Sequence, residues 1–197
     1  LASANLWRSD LEGAHLGYAN LKDAILEEAN LKGADLSDAN LDGASLRHTK
    51  IDATTRLDSK WRTVWQIVNE KRLGRALPNS DMSNAYLREA DFRNAYLVKA
   101  DLSGTNLTRA DLSSADLSRV NLTDANMSEA NLSHAVLTQA NLSDANLRGA
   151  DLSGADPDHS AHQEEQPEEL RLDPRDAAAQ GDDRRPPRRA APHSGPR

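Results

Sequence analysis

The sequence predicts a four-sided β-solenoid, and the feature that predicts it is a repeat of five residues. Between Leu1 and Leu152 nearly every fifth residue is leucine, and the residue two positions earlier is nearly always alanine. The stretch ANLKG at 29–33, followed by ADLSD at 34–38, shows the pattern. A short period that continues over this length indicates that similar structural units stack on one another.

A period of five residues fits neither an α-helix nor a flat strand. In a helix, successive leucines would be rotated by roughly 140° and would not share one face. In a strand, residues five apart point to opposite faces. The remaining solution is a chain that turns a corner once per repeat, with the leucine and the alanine pointing inward. Four such sides close a coil of about 20 residues, and coils stack ~4.8 Å apart.

The repeats follow the motif Ala-(Asp/Asn)-Leu-(Ser/Thr)-X, as in ADLSS at 110–114, ADLSR at 115–119 and ANLSD at 140–144. This motif resembles the repeat of the pentapeptide repeat family, and the resemblance covers about three quarters of the chain. It implies a right-handed quadrilateral β-helix. It implies no single function, because fold and function are separable.

The leucine frame divides the chain into four segments. Inward positions recur every five residues from Leu1 to Ile51, and again from Met82 to Leu152. Because the step from Ile51 to Met82 is not a multiple of five, the second run is one residue out of phase with the first. We therefore predict a first repeat block at 1–51, an insert at 52–80, a second repeat block at 81–157 and a tail at 158–197.

Within the insert, the sequence predicts an amphipathic α-helix over 59–72. The apolar residues recur at the spacing of one helix face: Trp61, Val64, Trp65 and Val68. Asp58 or Ser59 is expected to cap the start of the helix, and Gly74 to end it. Residues 60–69 also resemble an insert found in a bacterial subset of pentapeptide repeat proteins.

Two interpretations of Trp61 and Trp65 are open at this point. In the first, the helix lies against a side of the solenoid and buries both rings there. In the second, one ring stays exposed as an anchor for a partner protein, since Trp and Arg dominate binding hot spots. Trp61 and Trp65 are therefore the candidate partner-binding residues.

The tail at 158–197 is predicted to be disordered. Pro157 occupies the next inward slot, and the tail holds most of the prolines and few apolar residues. The basic run at 184–189 does not predict nucleic-acid binding, because the same tail is rich in Glu and Asp. His159 and His162 lack the carboxylate or cysteine partners of a metal site.

The repeats contain no recognisable catalytic constellation. In most repeats the slot before the leucine holds Asp or Asn interchangeably, which favours hydrogen bonding at a corner over acid–base chemistry. The repeat glycines occupy the variable corner position and do not form a phosphate-binding loop. We therefore expect no enzyme, no catalytic residue, no metal, no cofactor and no small-molecule substrate.

The sequence has no cysteine and no run of 18 apolar residues, so it predicts neither disulfides nor a membrane span. A cytoplasmic location is the expectation. Because the sequence begins at Leu1 and not at a methionine, a signal peptide of a longer parent chain would not be visible, and export stays open.

Two classes of binding protein compete. The first is a rigid scaffold for an unidentified protein partner. The second follows from the resemblance, because some members of the family imitate duplex DNA and block DNA gyrase. Residues 1–157 carry 22 acidic and 17 basic side chains, whereas B-DNA carries one negative charge every ~1.7 Å. A scaffold for protein–protein interaction is therefore the prediction, and gyrase mimicry is the alternative.

A mimic could still use a single acidic side. In the second block we expect one side to carry an acidic column formed by Asp81, Asp101, Asp124 and Asp144. Two other sides mix acidic and basic residues. These four carboxylates are the candidate acidic site of the alternative function.

Overall fold

Parallel β-bridges connect residues that lie one coil apart along the chain. Ile25, for example, bridges Asn5 on one neighbouring coil and Ser45 on the other. The computed structural model describes residues 1–157, and the predictions made for the tail at 158–197 lie outside the described residues. In the described part the ladder confirms the four-sided β-solenoid predicted from the five-residue period.

The ladder defines four sides, each a column of outward residues. The first side runs through Asn5, Ile25, Ser45, Tyr86, Asn106, Asn126 and Asn146; the second through Asp10, Asn30, Lys50, Asp91, Asp111, Asn131 and Asp151; the third through His15, Asp35, Arg56, Ala76, Tyr96, Asp116, Val136 and Asp156; the fourth through Asn20, Asn40, Asp81, Asp101, Asn121 and Asn141. Each side contributes a single bridging residue per coil, and the described residues contain no longer β-strand.

Most corners between the sides are turns in which one residue has a positive φ angle, as type II turns require at their third position. Gly33 and Gly104 supply this conformation without a steric penalty. Lys99 and Arg109 adopt it as well, with φ angles of 59° and 60°. The surrounding ladder therefore holds even bulky residues in the left-handed region.

The interior is a column of leucines separated by alanines. Leu112, Leu117, Ala110 and Ala115 are each 0% exposed. Small alanines beside large leucines let four sides meet across a narrow interior. A fully buried leucine contributes roughly 1.5–3 kcal/mol, so this column is the main source of stability.

One α-helix, α1, spans Ser59–Asn69, three residues shorter than the predicted segment. Asp58 occupies the N-cap position, but its side chain makes no capping hydrogen bond. Glu70 is the C-cap residue, so Gly74 does not end the helix as expected. The N–H of Gly74 instead donates to the carbonyl oxygen of Arg93 at 3.0 Å, which makes Gly74 part of the ladder.

The phase shift between the two repeat blocks arises before α1. Arg56 bridges Asp35 one residue beyond the regular coil spacing, so one extra residue lies in the turn before Arg56. Leu57 and Leu77 are separated by the length of one regular coil, and both pack against the core. The helical segment therefore replaces a coil. The ladder resumes at Ala76, five residues before the start predicted for the second block.

Helix α1 crosses the rod between two opposite corners. At its start, the Asp58 carboxylate accepts a long hydrogen bond of 3.5 Å from the N–H of Asp38, at the corner between the third and fourth sides. At its end, the Asn69 amide donates to the carbonyl oxygen of Leu46 at 2.9 Å and accepts from the N–H of His48 at 2.5 Å. Leu46 and His48 belong to the corner between the first and second sides.

The diagonal path of α1 leaves a gap in the ladder. No residue between Arg56 and Ala76 makes a β-bridge, so the fourth, first and second sides of this coil each lack a bridging residue. Residues 59–69 of this stretch are helical. At the corner between the fourth and first sides, the N–H of Gly43 donates directly to the carbonyl oxygen of Asn84 at 2.7 Å. We call this corner, where the first block meets the second, the junction corner.

Candidate functional site

The outward Asp and Asn residues that precede the core leucines accept hydrogen bonds from the turn that follows. Asp35 accepts from the N–H of Ser37 at 3.1 Å and from its hydroxyl at 2.7 Å. Asn121 makes the same pair of contacts with Thr123, at 3.2 and 2.8 Å. Amide and carboxylate oxygens are equivalent as acceptors. The interpretation that this slot serves hydrogen bonding at the corners is confirmed.

Neighbouring coils are also linked through this slot at several places where Asn stacks beside Asp. The amide of Asn121 donates to the Asp101 carboxylate at 3.1 Å, and that of Asn131 donates to Asp111 at 3.2 Å. An Asp beside an Asp could not make this contact, because an ionised carboxylate only accepts. The mixture of Asp and Asn therefore lowers the charge of each column and adds hydrogen bonds between coils.

The four predicted carboxylates do not form one column. Asp81 and Asp101 bridge each other on the fourth side, and the next residue of that column is Asn121. Asp124 and Asp144 occupy the positive-φ position of the junction corner, three residues further along their repeats. The prediction of a single column is therefore wrong, and the four residues occupy two neighbouring columns. The prediction continued the column from Asp101 to Asp124, and these two residues are more than one coil apart along the chain.

The Asp81 carboxylate interacts with Ser83 and with Lys60 of α1. Its carboxylate accepts from the N–H of Ser83 at 2.9 Å and from the Ser83 hydroxyl at 2.8 Å, and Lys60 Nζ of α1 lies 3.5 Å away. Burial acts to raise the pKa of Asp81, but the Ser83 hydrogen bonds and the Lys60 charge outweigh it and lower the pKa. Asp81 is thus ionised but partly neutralised by Lys60.

The tryptophans of α1 pack into the buried core of the rod. Trp61 is 5% exposed and belongs to the same buried cluster as Val64 and Ile67. Trp65 is half-buried, and its indole N–H donates to the carbonyl oxygen of Thr49 at 3.1 Å. These positions favour the packing interpretation, and a partner-binding role of Trp61 would require the helix to leave the core.

A cleft of about 530 Å³ opens at the junction corner, where α1 leaves the ladder without a bridging residue. We define the junction cleft by Asp23, Ile25, Glu27, Ser45, Tyr86 and Asn106, which line it. The Ile25 side chain is 43% exposed, and Tyr86 is half-buried. The Ser45 hydroxyl donates to the Glu27 carboxylate at 2.8 Å.

The junction cleft was not among the predicted sites, although the sequence contains a signal for it. Ile25 and Tyr86 occupy the slot that most repeats fill with Asp or Asn. An apolar residue in this polar slot is an exception to the pattern. What the pattern could not show is that α1 brings these two exceptions to one cleft, because Ile25 and Tyr86 lie far apart in the chain, in different repeat blocks.

A family model of pentapeptide repeats matches the chain in eight copies, over residues 1–33, 14–52, 76–104, 85–124 and 125–156. These matches cover more than half of the sequence. The chain belongs to the pentapeptide repeat family. The matches omit residues 53–75, the segment that contains α1, so the helix is a local departure from the family pattern.

Similar solved structures are themselves pentapeptide repeat proteins. Rfr23 from the cyanobacterium Cyanothece 51142 is 23% identical over 79% of this chain and 86% of that chain, with a TM-score of 0.30. HetL from Nostoc sp. strain PCC 7120, involved in heterocyst differentiation regulation, is 30% identical over 80% of this chain and 70% of its own, with a TM-score of 0.26. A trypsin-treated form of QnrB1, a plasmid-mediated fluoroquinolone resistance protein, is 18% identical over 81% and 91%, with a TM-score of 0.23.

Because these TM-scores are low, the family assignment rests on the repeat matches. The comparison with curated proteins gave no match. Family membership supports a right-handed β-helix for this pentapeptide repeat protein.

Residues 1–157 contain neither a metal-binding cluster nor a membrane-spanning helix. No group of three or more His, Asp or Glu side chains in this range is arranged to hold a metal ion. No helix in the same range has the length and apolar character needed to cross a membrane.

We expect this pentapeptide repeat protein to lose stability as the pH falls from about 4 to about 2. The Thr54 hydroxyl, helped by N–H groups that include those of Thr54 and Gly33, lowers the pKa of Asp52 from 3.8 to about 2. The hydroxyl and N–H of Ser37 likewise lower the pKa of Asp35. A carboxylate whose pKa is lower in the folded state stabilises the fold above its unfolded pKa, and this contribution is lost on protonation.

Urea unfolding at about pH 7, 4 and 2.5 checks this expectation, with the midpoint falling mainly between the last two. Asp52→Asn is the matched control, because its amide oxygen still accepts in the turn but does not titrate. The urea midpoint of this variant should fall less between pH 4 and pH 2.5 than that of the wild type. Equal midpoints for the wild type at pH 4 and pH 2.5 would contradict the argument.

Proposed function

We propose that the protein is a non-enzymatic scaffold that binds a partner protein through its outer surface. The four sides present their side chains in columns, with ~4.8 Å between successive coils. The backbone ladder holds these columns in place, and solenoids of this kind offer extended binding surfaces. The observation that carries the proposal is the junction cleft, a concave site lined in part by apolar side chains, of which Ile25 is exposed.

Exposed aromatic side chains elsewhere on the rod also support a protein partner. Trp7 is 50% exposed, and the Arg8 guanidinium lies 4.3 Å above its ring. Tyr18 is 82% exposed, and Tyr96 on the third side is 36% exposed. Aromatic residues and arginine are enriched in protein interfaces and dominate their energetics. Because these residues lie on different columns, they allow each face to be tested separately.

The test is partner capture by the full chain and by variants altered on one face at a time. Tyr86→Ala alters the junction cleft, Tyr96→Ala the third side and Trp7→Ala the corner between the first and second sides. One variant should lose a partner that the others keep, because truncation of a hot-spot residue costs about 2 kcal/mol or more. Thermal unfolding of each variant shows that the fold is intact.

A set of partners shared equally by the wild type and all single-face variants would contradict the scaffold proposal. So would a wild-type chain that captures no protein.

Gyrase mimicry is the second candidate, and the charges near the junction corner favour it. Asp81, Asp101, Asp124 and Asp144 share their two columns with no Lys or Arg in the second block. The residues 1–157 nevertheless carry a net charge of only −5, whereas ~30 Å of B-DNA carries about 18 negative charges. The field of the rod is therefore far weaker than that of the nucleic acid.

We expect no inhibition of gyrase supercoiling at micromolar concentrations of the full chain. A mimic acts by offering the basic DNA channel of the enzyme a substitute field. Basic residues at the next corner, such as Arg109 and Arg148, oppose that field, and salt screens what remains beyond the ~8 Å Debye length. A supercoiling assay with rising protein concentration is the measurement.

The control for this assay is a variant in which Asp81, Asp101, Asp124 and Asp144 are all replaced by Asn. These substitutions keep the turn hydrogen bonds, because the repeats of this chain use Asn in the same roles. Inhibition by the wild type at low micromolar concentration, abolished in this variant, would replace the scaffold proposal with gyrase mimicry.

A further inference from the structure

The third side of the rod departs from the polar pattern in the second block. Most repeats place Asp or Asn in the outward slot before the leucine, but the third side has Ala76, Tyr96 and Val136 there. Between residues 76 and 156, the other apolar residue in this slot is Tyr86, at the junction cleft. The exceptions to the polar pattern are therefore concentrated on one side of the rod.

Two of these residues belong to a compact apolar array. Ala76 bridges Tyr96 on the next coil. In the turns that follow, at the corner between the third and fourth sides, Pro78 and Val98 occupy equivalent positions, and the N–H of Asn79 donates to the carbonyl oxygen of Val98 at 3.0 Å. Ala76, Pro78 and Tyr96 are exposed, and Val98 is half-buried. We call Ala76, Pro78, Tyr96 and Val98 the third-side patch.

The corner beside the patch carries two stacked basic residues. Lys99 and Arg119 occupy equivalent turn positions one coil apart, and the N–H of Lys99 donates to the carbonyl oxygen of Ser118 at 3.0 Å. Both side chains are exposed, and neither forms an ion pair with any residue in 1–157. The Arg119 guanidinium instead donates to the amide oxygen of Gln139 at 3.1 Å.

The corner between the first and second sides uses the same turn position differently. There Arg109 forms an ion pair at 2.7 Å with Glu129, one coil further on. Opposite charges on neighbouring strands attract, whereas like charges that face each other are destabilising. Lys99 and Arg119 thus repel each other in the isolated rod, and acidic groups of a partner would relieve this repulsion.

The acidic residue of this region is occupied by its own turn. Asp116 follows Tyr96 in the third-side column. Its carboxylate accepts from the N–H of Ser118 at 2.9 Å and from the Ser118 hydroxyl at 2.6 Å. Within residues 1–157 it forms no ion pair with Lys99 or Arg119. The third side therefore combines an apolar surface with a basic corner, on a rod whose net charge is negative.

We propose that the third-side patch binds an acidic, amphipathic segment of a partner protein. Apolar side chains of the segment pack against the patch, with Tyr96 at the centre of the contact, and Asp or Glu side chains pair with Lys99 and Arg119. An apolar patch beside two cations fits a peptide better than a nucleic acid, whose contacts are mostly to phosphate and sugar. This inference rests on the proposed scaffold function, and it adds a second surface and the class of partner sequence that this surface recognises.

The test is selection from a phage-displayed library of random linear peptides against the full chain, followed by fluorescence polarisation with the enriched peptides. We expect enrichment of peptides that combine large apolar residues with Asp or Glu. Tyr96→Ala should weaken their binding at least about tenfold, as for an aromatic hot spot. The pair Lys99→Gln and Arg119→Gln should weaken binding and reduce its salt dependence. Gln is compatible with this turn position, because Gln139 adopts it in the same column.

Arg119→Glu separates binding from stability. It places an acidic residue one coil beyond Lys99, as Glu129 stands one coil beyond Arg109. The new pair should leave the thermal midpoint equal to that of the wild type or higher, because a repulsion is replaced by an attraction. The same variant should abolish binding of the acidic peptides. A loss of binding in a chain of full stability cannot come from unfolding.

Two matched controls should leave binding unchanged. Tyr86→Ala removes a tyrosine from the same repeat slot on another side of the rod. Arg8→Gln combined with Arg109→Gln removes two positive charges from the same turn position at another corner.

Enrichment of basic peptides, an absence of enrichment, or binding that Tyr96→Ala or Arg119→Glu leaves unchanged would overturn the proposal. So would tighter binding of a random-sequence DNA oligonucleotide than of any enriched peptide. Dimerisation of the chain that Tyr96→Ala abolishes would also overturn it, because a second copy would then occupy the patch. These failures differ from failure of the scaffold function, because a scaffold that uses the junction cleft would still lose a captured protein partner in the Tyr86→Ala chain.

Discussion

Replacement of Leu117 by Asp should unfold the second repeat block. The Leu117 side chain is 0% exposed in the middle of the leucine column. The substitution removes roughly 1.5–3 kcal/mol of apolar burial and places a carboxylate where no basic group can reach it. The combined loss is comparable with the roughly 5–15 kcal/mol by which a typical domain is stable.

Far-ultraviolet circular dichroism and limited proteolysis of the full chain measure this loss. The matched control is Ser114→Asp, which adds the same charge at an exposed corner one repeat away. Ser114 has a φ angle of 56°, and Asp tolerates this region, as Asp124 and Asp144 do in the same structure. The control should unfold like the wild type. If Leu117→Asp also melts like the wild type, Leu117 is not in the core and the repeat frame is wrong.

The fold was predictable because successive repeats place the same types of residue at the same positions. A leucine such as Leu117 faces inward in its own repeat, and the stacking of coils gives it similar neighbours above and below. The role of the Asp or Asn slot was predictable for a related reason. Two residue types with different charge but the same acceptor oxygens alternate there, so the shared property had to be the useful one.

The path of α1 was not predictable from periodicity. The helical spacing of Trp61 and Val64 showed that a helix has an apolar face, but not whether that face covers a side of the rod or enters its interior. The number of residues between two core leucines distinguishes these two arrangements. Leu57 and Leu77 lie one regular coil length apart in the chain, so the helix stands in place of a coil. The one-residue shift before Arg56 concealed this register.

The junction cleft also depends on the path of α1. The gap between Ser45 and Tyr86 exists because α1 takes a diagonal course, and no local pattern at either residue reports it. The register of the acidic residues, in contrast, could be counted directly from the sequence. Counting one full coil onward from Asp101 leads to Asn121, and the structure confirms that bridge.

Replacement of Trp61 by Ala should destabilise the protein by about 3–5 kcal/mol, the usual cost of truncating a buried aromatic side chain. Trp61 is 5% exposed and fills the interior at the coil that α1 replaces. Its removal leaves a cavity between the two repeat blocks. Because a solenoid repeat contacts mainly its neighbours, such a defect should also uncouple the unfolding of the two blocks.

Urea unfolding of the full chain, followed by circular dichroism, measures both effects, and the other two tryptophans provide graded controls. Trp65→Phe removes the hydrogen bond to Thr49 but keeps most of the ring, so we expect a loss of only about 0.5–1.5 kcal/mol. Trp7→Ala should change stability by roughly 0.5 kcal/mol or less, because Trp7 lies on the surface. A Trp61→Ala chain with wild-type stability that no longer captures a protein partner would contradict burial of Trp61 and restore it as the exposed anchor.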